Sequence, residues 1–337
     1  MKMHSTPNAA GTGATRRRLL KLLAVPLIAG ACMSAPAFAQ DAYPSKPVKF
    51  VVNFPAGGPV DVLARLVASK VGTSLKQSVY VENISGAAGS VGASNVARAD
   101  PDGYTVLFSI DTPFTMNPSL YPSLPFKLTD LKPVIMMGSS GSTIAVNPAT
   151  GINSLKDLIA RGKKEEINFS SAGVGSPGHL AISMLNDATG THISHIPYRG
   201  NTPAVQALVG GQVQGGILAT TGMLPYIKSG KIKALAVAAP KRSVVLPEVP
   251  TTAELGYPNV ELQFFFVAMV PSKTPDAIAQ KLQTEIAKVL AQKDIQDRLH
   301  NLDIVVDSMP GPEAADLLAQ YRERYGKIIK ATGMKIQ

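Results

Sequence analysis

The strongest constraint on this chain is a unit that recurs along it: a short apolar run, a glycine-containing turn, then an apolar series at helical spacing. Residues 48–54 are a continuous β-branched and aromatic run, as expected for a strand covered on both faces of a parallel sheet. Pro55-Ala56-Gly57-Gly58 supplies the turn and Pro59 suits a first helical position. Val60, Leu63, Ala64, Val67, Val71 and Leu75 then recur at helical spacing. The same grammar predicts a strand at 77–82, a helix opened by Gly86-Ala87-Ala88-Gly89 and running to Ala99, and a strand at 105–109. A second set of strands is predicted at 143–146, 167–170, 193–197, 213–218 and 232–238, separated by helical stretches. Such alternation gives parallel, right-handed α/β layers. Two sets predict two lobes, each a mostly parallel sheet flanked by helices.

Beyond the Pro-rich loop Leu246-Pro247-Glu248-Val249-Pro250, an apolar strand is predicted at 264–270, followed by amphipathic helices at 275–293 and 311–332. Thr274 and Pro275 suit the N-cap and first position of the earlier helix. The strand at 264–270 is expected to rejoin the first sheet. The first lobe would then be discontinuous (40–142 plus 264–337), the second would be 143–263, and the two crossings between them would form a hinge.

The first thirty-nine residues read as an address. Thr15-Arg16-Arg17-Arg18-Leu19-Leu20-Lys21 precedes an apolar run over 22–31 and the small-residue cleavage site Ala37-Phe38-Ala39. The run is shorter than the ~20 apolar residues of a membrane-spanning helix, so the expectation is a signal peptide cleaved after Ala39 and a periplasmic mature chain. A twin-arginine signal and a Sec signal with a generous basic region both fit. Cys32 follows Ala29-Gly30-Ala31, an imperfect lipoprotein pattern, and it is the single cysteine. Cleavage after Ala39 therefore leaves a mature chain without disulfides. Its stability must come from a hydrophobic core, which roughly 300 residues can build in two ordinary domains.

The formal charge of +10 comes from 33 basic and 23 acidic residues, but Lys2, Arg16, Arg17, Arg18 and Lys21 lie in the signal; 28 against 23 leaves +5. With no basic run interleaved with aromatics, nucleic-acid binding is not expected. Nor is catalysis. There is no G-x-S-x-G, no mature cysteine, and His179, His192, His195 and His300 lack metal-ligand spacing with acids. His192 and His195, three apart around a strand, are expected on opposite faces. Gly173-Val174-Gly175-Ser176-Pro177-Gly178 spells the dinucleotide pattern G-x-G-x-x-G, but where an acid should follow some twenty residues on, the chain has Tyr198 and Arg199. The loop reads instead as an anion cradle, with the Ser176 hydroxyl and backbone amides as donors, and no cofactor or metal is expected.

Open parallel sheets bind ligands beyond the carboxyl ends of their strands. Helix N-termini there offer unpaired N–H groups and the positive end of the helix dipole, which suits an anion. Gly57 and Gly58 allow close backbone approach, and Phe54 can meet a ligand's carbon skeleton. His179 falls in the first turn after the second glycine loop, where bracing that loop is the favoured role. Tyr198, Asn201 and Thr202 can supply directional hydrogen bonds, and Arg199 a two-toothed carboxylate pair. Ser109, Thr112, Ser142, Thr220 and Thr221 are candidates by position.

The order of motifs resembles the tripartite tricarboxylate transporter substrate-binding family, the Bug-type periplasmic receptors. The likeness covers nearly the whole mature chain. It is carried by Tyr43-Pro44 with Pro47, Phe54-Pro55-Ala56-Gly57-Gly58 with Asp61 and Ala64-Arg65, Val81-Glu82-Asn83 with Gly86-Ala87-Ala88-Gly89, and Asp102-Gly103-Tyr104. Further pieces are Gly175-Ser176 with His179-Leu180-Ala181, Pro197-Tyr198-Arg199-Gly200 with Pro203-Ala204, Gly210-Gly211-Gln212-Val213, Gly230-Lys231, Ala234-Leu235-Ala236-Val237, Arg242, and Leu246-Pro247 with Val249-Pro250-Thr251. The resemblance implies a Venus-flytrap fold closing without chemistry over a small organic acid, and delivery to a separate membrane permease. The receptor is expected to be monomeric. A sensor feeding a signalling system would use the same pocket. The resulting candidate contact set is Phe54, Pro55, Ala56, Gly57, Gly58, Ser109, Thr112, Ser142, Ala172, Gly175, Ser176, His179, Tyr198, Thr202 and Thr220. Many relatives carry acids at the places of Gln214 and Leu218 and a Trp where this chain has Phe264-Phe265-Phe266. Losing those acids removes partners for a ligand ammonium and favours a non-amino acid, aromatic or dicarboxylic.

Overall fold

The computed structural model describes residues 43–336; the export signal, its cleavage site and Cys32 lie outside them. Ten strands occur among these residues: β1 (Val48–Val52), β2 (Val79–Asn83), β3 (Thr105–Ile110), β4 (Leu131–Val146), β5 (Ile167–Ser171), β6 (Ile193–Pro197), β7 (Gly215–Ala219), β8 (Lys233–Ala238), β9 (Gln263–Pro271) and β10 (Val305–Pro310). They join in the order β2-β1-β3-β9-β4-β7-β5-β6, with β8 and β10 also paired to β4.

The sixteen-residue β4 holds the sheet together. From Leu131 to Gly141 it runs antiparallel to β9 and, over part of that length, to β10. At Ser142 its partners change to β7 and β8. Two arms therefore share one strand. In the first, β1 is parallel to β2 and β3; in the second, β5 is parallel to β6 and β7. The antiparallel pairs gather where β4 and β9 pass through the middle. Sequence patterning marks only 143–146 of β4 as strand and gives no sign of β10. Lys132-Pro133 and Gly138-Ser139-Ser140-Gly141 interrupt the apolar pattern, and it is neighbouring strands that bury the small polar residues among them.

β9 pairs with β3 from Leu107↔Met269 to Ile110↔Phe266. Asp111 extends this ladder. Its amide donates to the Phe265 carbonyl at 2.9 Å, and its Oδ1 accepts from the Phe265 amide at 2.9 Å. Thr115 Oγ1 donates to the other carboxylate oxygen. Full burial pushes the Asp111 carboxyl up to about 6, against the pull of these hydrogen bonds.

On one face of the first arm, helices Pro59–Leu75, Asp276–Leu290 and Lys293–His300 cover a core containing Phe50, Phe108 and Phe266. The rings of Phe50 and Phe108 stack at 4.3 Å. The helix expected at 275–293 is present as Asp276–Leu290 with Pro275 as its N-cap, and a further helix not expected from the sequence, Lys293–His300, follows it. Thr274 does not cap the first of these, because its buried Oγ1 has no partner. Helix Gly311–Thr332 starts against the first arm through Ala314 and Leu318 and ends in the second arm's core through Tyr325 and Ile329, beside Ile144, Phe169 and Leu180. Among the described residues no helix is long and apolar enough to cross a membrane.

Gly138 sits where β10 meets β4, at φ +154°, and a Cβ there would lie 2.3 Å from the Val305 carbonyl oxygen. Gly138→Ala should cost about 2–4 kcal/mol of stability through backbone clash and strain. Urea denaturation would read this, and an unchanged midpoint would mean that β10 yields freely.

Candidate functional site

The first glycine loop joins β1 to helix Pro59–Leu75. It is braced from within by Asp61 in the helix's first turn. Asp61 Oδ2 accepts from the Gly57 amide at 2.9 Å, and its Oδ1 accepts from Asn83 Nδ2 at 2.9 Å and Arg65 Nε at 3.0 Å. Asn83 Nδ2 also donates to the Phe54 carbonyl. Burial pulls the Asp61 carboxyl upward, but hydrogen bonds from Arg65, Gly57 and Asn83 outweigh it and hold the group below its usual range. Asp61 belongs to the motif read from the sequence, but its bracing role depends on Asn83, which only the β1–β2 pairing brings near.

The second loop joins β5 to helix Pro177–Thr189. Ser176 caps this helix, its Oγ accepting from the His179 amide and donating to Ser171 Oγ at 3.2 Å. The hydroxyl proton is thereby committed to Ser171, which leaves backbone amides as this loop's donors toward a ligand. His179 Nδ1 accepts from the Gly175 amide at 3.3 Å, so the ring braces the loop. It stacks on His195 with centroids 3.7 Å apart and planes 11° from parallel. His195 Nε2 in turn meets Ser171 Oγ at 2.5 Å. Sequence reasoning missed His195, because sixteen residues and a change from helix to strand separate it from its partner.

Two adjoining cavities lie between these loops. The inner one holds about 70 Å³ and is lined by Phe54, Pro55, Gly58, Pro59, Val60, Ile110, Ser142, Ala172, Ser176, Pro177, Gly178, Gly200, Asn201, Thr202, Ile217, Leu218, Ala219 and Phe264. The first residues of three helices stand around it: Pro59–Leu75, Pro177–Thr189 and Asn201–Val209. The amides of Val60, Gly178 and Thr202 are at second helical positions, where a helix offers no internal acceptor. The outer cavity holds about 480 Å³ and adds Asn53, the Ser85–Gly89 turn, Tyr121, Gly173, Val174, Tyr198 and Arg199.

Of the candidate residues, Phe54, Pro55, Gly58, Ser142, Ala172, Ser176, Tyr198 and Thr202 line one or both cavities. Ala56 and Gly57 are exposed on the first loop and line neither cavity, and a Cβ on Gly57 would come within 3.6 Å of Thr202 Oγ1. Gly175 is buried against Ala88 and Leu120. Ser109 lies behind the wall, bonded to Asn53 and the Ile110 carbonyl. Thr112 is buried with no partner for its Oγ1. Thr220 pairs with Thr143 at 2.8 Å beneath the cleft, and Thr221 donates to the Leu302 carbonyl. Strand-end position alone could not separate these hydroxyls from those that reach the cavities.

A shared-strand α/β sheet with opposed glycine loops and converging helix N-termini defines a solute-binding receptor of the periplasmic type. The comparisons fix the family. The description "Tripartite tricarboxylate transporter family receptor" matches residues 63–334, and the chain belongs to that family. It is 36% identical to Protein BugT of Bordetella pertussis over 324 residues, 95% of this chain and 99% of that one. The structure of the periplasmic binding protein BugD is 34% identical with a TM-score of 0.83, covering 88% of this chain and 100% of that one. A Rhodopseudomonas palustris protein solved with adipate is 29% identical with a TM-score of 0.84, covering 87% and 99% respectively.

Burial lowers His179 from 6.5 to about 4, and burial with the charge of its neighbour lowers His195 to about 3. Between 6.5 and those values the unfolded chain binds more protons, so each ring takes away stability as pH falls, by up to about 1.4 kcal/mol per unit. Asp111, raised from 3.8 to about 6, acts oppositely, since the folded form then holds the extra proton. His195→Gln should remove one of the two histidine contributions and so make stability, read by urea denaturation, fall less between pH 6 and 4 than in the parent. A slope equal to the parent's would refute this.

Proposed function

We propose that this receptor captures a small organic acid lacking an amino group and passes it, chemically unchanged, to the membrane permease of a tripartite tricarboxylate-type transporter. The observation that carries this reading is the charge pattern of the two cavities. Three helix N-termini and Arg199 favour an anion, while among the described residues no Asp or Glu lines either space. A ligand ammonium would therefore enter without a counter-charge, at considerable desolvation cost. Leu218, standing where many relatives carry an acid, makes the inner wall apolar, while Gln214 is turned away and accepts from the Asn168 amide. The adipate bound by the R. palustris relative, a diacid without an amino group, agrees with this chemistry.

Capture works by closure of the first arm against the second, about β4, the return into β9 and helix Gly311–Thr332, which packs into both cores. The receptor acts as a monomer in the periplasm, exported by a signal cleaved after Ala39. Among the described residues no group of His, Cys, Asp and Glu could hold a metal ion, and the ligand leaves the receptor unchanged. Native mass spectrometry of periplasmic protein should release a stoichiometric organic acid. In calorimetry, plain carboxylates should bind and aspartate and glutamate should not; the reverse would overturn the reading. Leu218→Asp should weaken a bound carboxylate by about tenfold or more, through like charge in a partly desolvated space.

A further inference from the structure

We propose that Asp303 clasps the two arms together outside the ligand cleft, through a hydrogen bond with Ser243 that sets how readily the arms part. This rests on the closure described above and adds a positioning residue to it.

Asp303 belongs to the first arm, in the turn between helix Lys293–His300 and β10, and Ser243 to the second, in the loop that follows β8. They meet in the interior. Ser243 Oγ donates to Asp303 Oδ1 at 2.7 Å, and both residues are buried. A second bond between the arms runs beside the first: Thr221 Oγ1 donates to the Leu302 carbonyl at 2.6 Å. Thr220 and Thr221 open helix Thr220–Lys228, and Leu218 and Ala219 just before them line the inner cavity. Ser243, Thr221, Leu302 and Asp303 themselves line neither cleft cavity. The clasp therefore joins the arms where a ligand does not touch it, yet stands next to the cleft wall in the chain.

The carboxyl is held mainly from across the junction. Burial pushes Asp303 up, against the pull of hydrogen bonds from Ser243, Thr220 and the Val244 amide and of the charge on His300. Ser243, Thr220 and Val244 all belong to the second arm, so parting the arms strips a buried carboxyl of those partners, a loss that costs more than the bonds themselves contribute. The backbone of Asp303 is left-handed at φ 60°, which a residue with a Cβ keeps only where its surroundings hold it.

The pivot beside the clasp has room to flex. A cavity of about 230 Å³ is lined in part by Asp303, Ser243, Gln263 and the β4 residues Ser139, Ser140 and Gly141. Those β4 residues lie where the strand leaves β10, paired last at Ser139, for β8, paired first at Ser142. Close-packed interiors resist deformation, so an open space at the change of partners lets the strand bend there, and the neighbouring clasp opposes that bending.

Small-angle X-ray scattering of protein refolded from urea, and so freed of carried-over acids, reads the ratio of parted to closed molecules. Asp303→Gly, which removes the carboxyl without backbone strain, and Ser243→Ala, which leaves the left-handed turn intact, should each raise that ratio by about fivefold, the net worth of one hydrogen bond. The double variant should go no further than either single one, because both remove the same bond. Asp303→Asn keeps an acceptor oxygen and suits a left-handed backbone, so it should stay near the parent. A parent that scatters as two forms in a ratio unchanged by both single variants overturns the clasp and leaves closure standing, as does a double variant that adds the two effects. If the parent and every variant scatter as one identical form, closure falls with the clasp.

Discussion

The molecule depends on one strand belonging to two sheets. β4 changes partners at Ser142, from β9 and β10 to β7 and β8, so the carboxyl ends of the parallel strands in both arms are brought to one cleft. Main-chain hydrogen bonding enforces this, because a strand this long must satisfy its amides and carbonyls along its whole length once buried. Everything chemical about the site follows from that crossing: glycine loops from separate arms face each other, and helix N-termini converge between them.

Within that frame, polar clusters set each loop's shape. Asp61 with Asn83 and Arg65 fixes the first; Ser171, Ser176, His179 and His195 fix the second. Because these side chains bond to the loops' own backbone and to one another, the groups left toward the cavities are mainly amides and apolar surface. That arrangement suits a carboxylate through directed N–H groups and dipole rather than through a buried cation, so desolvating a charged side chain would not be part of the cost of binding. Arg199, the one cation among the described residues that line the cleft, stays where water can reach it.

Helix Gly311–Thr332 adds a second link between the arms, touching the first-arm core through Leu318 and the second-arm core through Tyr325. Tyr325 donates to the Gln263 carbonyl at the start of β9, which ties the helix to the strand that returns to β3. Motion of one arm relative to the other must therefore be accommodated by bending around β4 and this helix rather than by a free joint.

The sequence by itself determined the α/β grammar, the two glycine loops, the helices behind them and the family, because local periodicity and turn chemistry encode these. It also placed Phe54, Pro55, Gly58, Ser176 and Thr202 near the cleft, since a loop between strand end and helix start lies at the carboxyl edge of the sheet. What only the tertiary structure decided was anything requiring two distant segments: the β4 crossing through a Gly- and Ser-rich stretch that reads as a loop, the His179–His195 stack, and which hydroxyls line the cavity. Ser109 and Ser142 each sit in strands leading to the cleft, yet one bonds inward to Asn53 and the other lines the inner wall. Side-chain direction at a strand's end depends on neighbours that local patterning does not contain.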